Sequence, residues 1–264
     1  MREPQPLRRA LRSLIGATRI GSPLFRYNIG ALHRPHYAFL VYQAAHLAHR
    51  LGKPRVSVVE FGVAGGRGLL NLERQAEWVE KILPVKIDIY GFDTGEGLPS
   101  PKDYRDLPYH WKPGFFRMDQ DALRKKLKRA ILVLGDVADT AKTFYSKYNP
   151  APVGGVSHDL DYYSSTRDGL VLFDGAPEHQ LPRIPIYFDD VIGNEIEFYC
   201  DVTGERLAIH EFNASHKSQQ ISPAYYLRAN DYQSWHQNIW ILHNFDSPEY
   251  NTFVSQEGQQ LPIS

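Results

Sequence analysis

Apolar and polar positions along the chain follow two alternating periods. VSVVEF (56–61), KIDIYGFD (86–93), ILVLGDV (131–137), VGGVSHDL (153–160) and IPIYFDD (184–190) are short apolar runs rich in β-branched residues, the pattern of buried strands. Between them LLNLERQAEWVEKI (69–82), DALRKKLKR (121–129), TAKTFYSKY (140–148) and STRDGLVLF (165–173) carry helical spacing. Ahead of the first strand, HYAFLVYQAAHLAHRLG (36–52) sets Leu40, Ala44, Leu47 and Leu51 on one face, with Gly52 at the stop and Pro54 beyond it. Repeated strand–helix units predict a parallel sheet covered on both faces, because parallel strands need helical crossovers. The handedness of those crossovers makes it an α/β, doubly wound, Rossmann-like sheet.

After Gly193 the pattern changes. NEIEFYCDVTGERLAIHEFN (194–213) predicts a helix, and QQISPAYYL (219–227) with NIWILHNF (238–245) predicts an antiparallel C-terminal strand pair at the sheet edge. Residues 96–119 form the longest irregular insertion, and because they follow the second strand they should overhang the ligand edge. Their aromatics Tyr104, Tyr109, Trp111, Phe115 and Phe116 either close over that edge or pack the loop down. Residues 1–35 carry seven arginines against Glu3 alone and read as a basic arm ahead of one domain, 36–264. Within the arm LRRALRSLIGA (7–17) predicts a helix packing Leu7, Leu11, Leu14 and Ile15 on the domain or on a second subunit of a homo-oligomer; an organellar transit peptide has the same composition.

Length and charge narrow the functions. At 264 residues the chain holds one α/β domain with appendages, on a prior of roughly 150 residues per domain. Thirty basic residues balance thirty acidic ones, so nothing suggests a global attraction to nucleic acid or an anionic membrane. No apolar run approaches the roughly 18 residues of a membrane span, and the single Cys200 fits a reducing, cytoplasmic setting.

Ligands of such sheets bind beyond the carboxyl ends of the strands, and every predicted strand end carries an acid: Glu60, Asp93, Asp136, Asp159 with Asp161, and Asp189 with Asp190. One such acid is an ordinary helix cap; five strand ends closing on a double acid point to a site. The glycine loop between Glu60 and Gly68 is not a dinucleotide fingerprint, since Ala64 and Arg67 stand where glycines are needed, and no P-loop lysine follows. An acid at Glu60 suits an ammonium-bearing ligand better than a diphosphate, which points to S-adenosylmethionine held by Gly62, Val63, Ala64, Gly65 and Gly66. Asp93, beside Thr94, is placed to accept ribose hydroxyls, Gly135, Asp136 and Val137 to meet an adenine edge, and Asp159 to face the methyl donor. His158 is expected buried, His46 and His49 solvated, and Cys200 a buried small residue.

GFDTGEGLP (91–99), HDLDYYSSTRDGL (158–170) and IYFDD (186–190), following VEFGVAGGRG, resemble the macrocin O-methyltransferase family, metal-dependent enzymes that methylate sugar hydroxyls of macrolide antibiotics. The resemblance spans about residues 55–195, with Gly95 where the family often has an aromatic. It implies a class I methyltransferase fold, S-adenosylmethionine, one Mg²⁺ on Asp161, Asp189 and Asp190, and a small hydroxylated acceptor such as a sugar or glycoside. The proton acceptor stays open among Asp159, Asp161 and His110. Other readings are the same chemistry on a catechol-like vicinal diol and a non-catalytic S-adenosylmethionine-binding module; an NAD-dependent oxidoreductase is disfavoured by Ala64 and Arg67.

Overall fold

Three helices precede the first strand: α1 (Pro6–Thr18), α2 (Pro23–Asn28) and α3 (Pro35–Arg50). The alternating part follows as β1 (Arg55–Phe61), α4 (Arg67–Ile82), β2 (Lys86–Asp93), α5 (Gln120–Lys126), β3 (Ile131–Leu134), α6 (Val137–Tyr148), β4 (Val153–His158), α7 (Tyr163–Leu170) and β5 (Arg183–Phe188). The chain closes with α8 (Gly204–Ser215), β6 (Gln219–Pro223), α9 (Tyr225–Ala229) and β7 (Ile239–Asn244). This computed structural model describes residues 6–229, 233–256 and 258; Arg2 and Glu3 of the basic arm and the chain end after Gly258 lie outside the described residues.

The strands form one sheet in the order β3-β2-β1-β4-β5-β7-β6, parallel from β3 to β5 with β7 and β6 antiparallel. Strands β1, β2, β4 and β5 are largely apolar on both faces because helices cover both: Val58, Phe61, Ile89, Phe92, Val156, Ile186 and Phe188 are buried in one core with residues of α3, α4, α6 and α8. Because β1 pairs with β2 on one side and β4 on the other, the strand order reverses there, and that reversal opens a crevice at the carboxyl ends.

Tertiary structure overrides the local pattern at three places. Residues 194–203 are turns, and α8 starts only at Gly204, since Phe198 takes a left-handed φ of 49° and breaks the expected helix. The expected strand 219–227 stops at Pro223, and Tyr225–Ala229 turns back as α9. Helix α1 is present, yet Leu7 and Leu14 are 80% and 58% exposed, so most of its apolar face is uncovered. Cys200 is half-buried beside the Thr203 hydroxyl, and His46, expected solvated, is half-buried with its ring stacked on Tyr42. No helix among the described residues is long and apolar enough to cross a membrane.

Candidate cofactor and acid site

The β1–α4 turn builds one wall of the crevice. Gly62 has φ 80°, and a Cβ there would lie 1.7 Å from the Asp159 carbonyl oxygen, so only glycine lets the loop rest on the end of β4. Asp93 fixes the loop from the other side: Oδ2 accepts the Val63 and Ala64 amides at 2.9 Å each, and Oδ1 accepts Gly95 N–H at 2.6 Å. Ala64 is held at φ 46° in that turn, and Gly66 caps α4 in a left-handed conformation.

Gly62, Ala64, Asp93, Thr94, Gly135, Asp136, Val137, Asp159, Asp161, Asp189 and Asp190 line one cavity of about 330 Å³. Val63 is buried beneath it and Gly65 is exposed outside it. Glu60, expected on the ligand face, is instead fully buried behind the loop, where its carboxylate accepts the Tyr37 hydroxyl at 2.6 Å and would meet a Cβ on Gly68 at 1.8 Å. Burial raises its pKa to about 8, the Tyr37 hydrogen bond opposing that shift. Asp136 lines the cavity while its side chain caps α6 through Ala138 N–H.

The acids of β4 and β5 converge. Asp159, Asp161 and Asp190 each bring a carboxylate oxygen within 4.8 Å of the others. Asp161 sits at φ 60°, a left-handed conformation rare for a non-glycine residue, where its amide donates to Asp190 Oδ2 at 3.1 Å. The other oxygen of Asp190 accepts the Tyr199 hydroxyl at 2.8 Å. Burial and then the neighbouring carboxylates push Asp159 and Asp161 well above the usual range and Asp190 to about 7. Of the three expected ligands, Asp161 and Asp190 stand in this cluster with Asp159, while Asp189 lines the same cavity and accepts the Tyr187 hydroxyl at 2.5 Å.

His110 lies outside the cavity lining; its Nε2 is 3.6 Å from Glu197 and its ring packs against Trp111. Of the aromatic loop, Trp111 and Phe116 do line the cavity, whereas Tyr104 and Tyr109 are largely exposed. Buried Asp106 pins the loop by accepting Lys102 N–H and the Ser164 amide and hydroxyl at the start of α7. The sequence did not point to Glu197 or Glu205. Glu205, fully buried at the start of α8, accepts Asp190 N–H at 2.9 Å and lies 2.7 Å from His158 Nδ1. Burial takes His158 down to about 3, so it stays neutral. Only the start of α8, which the sequence pattern misplaced, brings Glu205 there.

No protein-family model and no curated protein matches the chain. Among solved structures, CalS11, a calicheamicin methyltransferase, superposes with TM-score 0.52 at 19% identity, over 90% of this chain and 93% of its own. A second CalS11 structure, described as a TDP-rhamnose 3'-O-methyltransferase, gives 0.45 at 18% identity (90% and 95% covered). Cofactor-bound Rv0187 from MTB gives 0.46 at 14% identity (91% and 91%). The first likeness shows the fold: a seven-stranded class I methyltransferase sheet with an antiparallel C-terminal pair.

Proposed function

We propose that the chain is an S-adenosylmethionine-dependent O-methyltransferase acting on a hydroxyl of a sugar or glycoside, with a divalent cation, Mg²⁺, at its acid cluster. One observation carries this reading: the glycine loop, Asp93 and the clustered carboxylates share a single cavity. The donor set fits the cation, because Mg²⁺ selects hard oxygen ligands and Asp159, Asp161 and Asp190 offer three with no basic side chain among them. The glycine loop and Gly135–Val137 fit the two ends of the nucleoside-bearing donor.

When bound, the donor supplies an electrophilic sulfonium methyl and the cation polarises the acceptor hydroxyl. The chain's own residues do the rest. Gly62 packs the loop on Asp159, which sets that carboxylate between the loop and the other acids. Asp159, whose backbone packs against the glycine loop, takes the hydroxyl proton as oxygen attacks the methyl carbon and the carbon–sulfur bond breaks. Asp161 and Asp190 orient the acceptor. Trp111 and Phe116 cover the cavity and limit water.

Calorimetric titration with S-adenosylmethionine, with NAD as the comparison ligand, tests the reading, followed by methyl transfer to a glycoside panel with Mg²⁺ or chelator. One-site binding of S-adenosylmethionine and chelator-sensitive transfer are expected. Binding of NAD instead, or turnover indifferent to chelator, would overturn the donor or the cation assignment respectively.

A further inference from the structure

Helix α3 packs mainly over β1, β4 and β5, and beside it the outer part of the same sheet face opens as a cavity of about 520 Å³. Alternation along the strands explains its lining. Arg183 and Pro185 are two residues apart on β5 and so share a face, and they stand in register with His243 and Ile241 of β7. From α3, Gln43, His46, Leu47 and Arg50 meet them at helical spacing. The volume is that of a small-molecule site.

The charged groups of this lining have one sign. Arg50, Arg183, His46 and His243 line the cavity, and no carboxylate does so among the described residues. Gln43 and Ser222 add neutral polar groups, and the rest of the wall is apolar or aromatic, with Phe39, Leu47 and Ile241 as its largest apolar members. Arg50 donates to the carbonyls of Val254 and Ser255, and Arg183 donates to the Tyr250 carbonyl at 2.9 Å with its guanidinium 5.2 Å from that ring's centroid. These partners are neutral, so among the described residues neither guanidinium is matched by a carboxylate. The imidazoles register the resulting field: burial and then Arg50 lower the pKa of His46, and burial and then Arg183 lower that of His243. In a chain with thirty basic and thirty acidic residues, a cavity whose fixed charges are two arginines is a local excess.

We propose that this cavity is a ligand site separate from the acid crevice, taking a small aromatic body that bears an oxyanion, either phosphate or carboxylate. A guanidinium bonded only to carbonyls keeps its charge and its remaining donors for an anion, and the apolar wall offers area to the body that carries it. Arg183 opens β5 and Asp189 follows the strand's carboxyl end, a span of roughly 20 Å at about 3.3 Å per residue. The two cavities also sort ligands by charge: carboxylates line the crevice and repel an anion, whereas arginines line this one and attract it. Nothing in this cavity depends on what the crevice binds.

The test is calorimetry with four probes: 1-naphthyl phosphate, 1-naphthoate, uncharged 1-naphthol and inorganic phosphate. One-site binding of a naphthyl anion is expected, at least about tenfold tighter than 1-naphthol, since a hydrogen bond to a charged group contributes roughly 1.5–3 kcal/mol. Whichever of the two naphthyl anions binds tighter identifies the oxyanion. Arg183→Gln, and independently Arg50→Gln at an exposed position, should remove the preference over 1-naphthol, and Ser222→Trp should fill the cavity and remove binding altogether, with circular dichroism verifying the fold of each variant. Binding of neither naphthyl anion, equal binding of 1-naphthol, or inorganic phosphate binding as tightly as its naphthyl ester would overturn the site. So would a preference that survives in every folded arginine variant, binding that survives Ser222→Trp, or displacement of the naphthyl anion by S-adenosylhomocysteine, which would move it to the acid crevice.

Discussion

Acids stand at the carboxyl ends of the strands on both sides of the crevice, and they meet opposite surroundings. On the β2–β3 side Asp93 accepts three backbone amides and Asp136 caps α6, so each carboxylate is compensated by N–H dipoles. On the β4–β5 side Asp190 accepts one amide and one hydroxyl, and among the described residues no donor reaches the carboxylates of Asp159 and Asp161. Their neighbours are other carboxylates, which is why burial and like charge move all three upward. The same residue type at the same sheet edge is an acceptor for the backbone in one place and an uncompensated cluster in the other; only the second offers free carboxylate oxygens to the cation proposed above.

Exchanging one acid from each side should separate the two roles. Asp190→Asn is expected to give the largest effect, lowering cation-dependent methyl transfer on the order of 10³-fold. Affinity for S-adenosylhomocysteine should stay within about threefold, since no part of the glycine loop leans on that carboxylate. Asp93→Ala should do the reverse. It leaves the Val63 and Ala64 amides without their acceptor, at roughly 1–3 kcal/mol, and should weaken S-adenosylhomocysteine by about 10- to 100-fold while Mn²⁺ binding, read by electron paramagnetic resonance, is retained. If either variant loses both ligands in step, the two sides are one unit and the contrast fails. Glu205→Leu should weaken Mn²⁺ by about tenfold, because the Asp190 amide loses its acceptor, and Glu205→Gln, which keeps an acceptor oxygen, should recover most of it. Equal losses in both would reduce Glu205 to a packing residue.

The contrast was only half legible in the sequence. Hydrophobic period located the strands and so placed an acid at each carboxyl end, because β1, β2, β4 and β5 are buried runs with little competing pattern. What each acid does depends on where nearby amides point. The turn at Val63–Ala64, with its left-handed Ala64, and the left-handed Asp161 decide that; alanine gives no sign of such a conformation, and aspartate, though enriched there, adopts it too seldom to mark the position. Asp189 and Asp190 are adjacent and alike in sequence; the structure parts them because Tyr187, two residues back, is within reach of one carboxylate and Tyr199 of the other. Glu197 and Tyr199 lie in a stretch whose spacing imitates a helix but which breaks at left-handed Phe198, and Glu205 stands in the first turn of α8, which therefore starts later than the spacing predicts.

Glu60 is the exception that sharpens the comparison, and it should give the smallest effect on function. It belongs to the side where acids are compensated, yet it is wholly buried and accepts only the Tyr37 hydroxyl, with Oε2 lacking any partner. Its pKa therefore rises from an ordinary 4.5 to about 8, with burial the main cause. A carboxyl that binds its proton more tightly when folded contributes stability that is fully present below pH 4.5 and is lost as pH rises towards 8. Glu60→Gln keeps an oxygen for Tyr37 and cannot ionise. Chemical unfolding with Mg²⁺ present should then show the variant gaining about 2–4 kcal/mol on wild type between pH 5 and pH 8, with the two close together at pH 5. Parallel stability curves over that range would mean that Glu60 is ionised and matched by a charge, and that it belongs with the compensated acids after all.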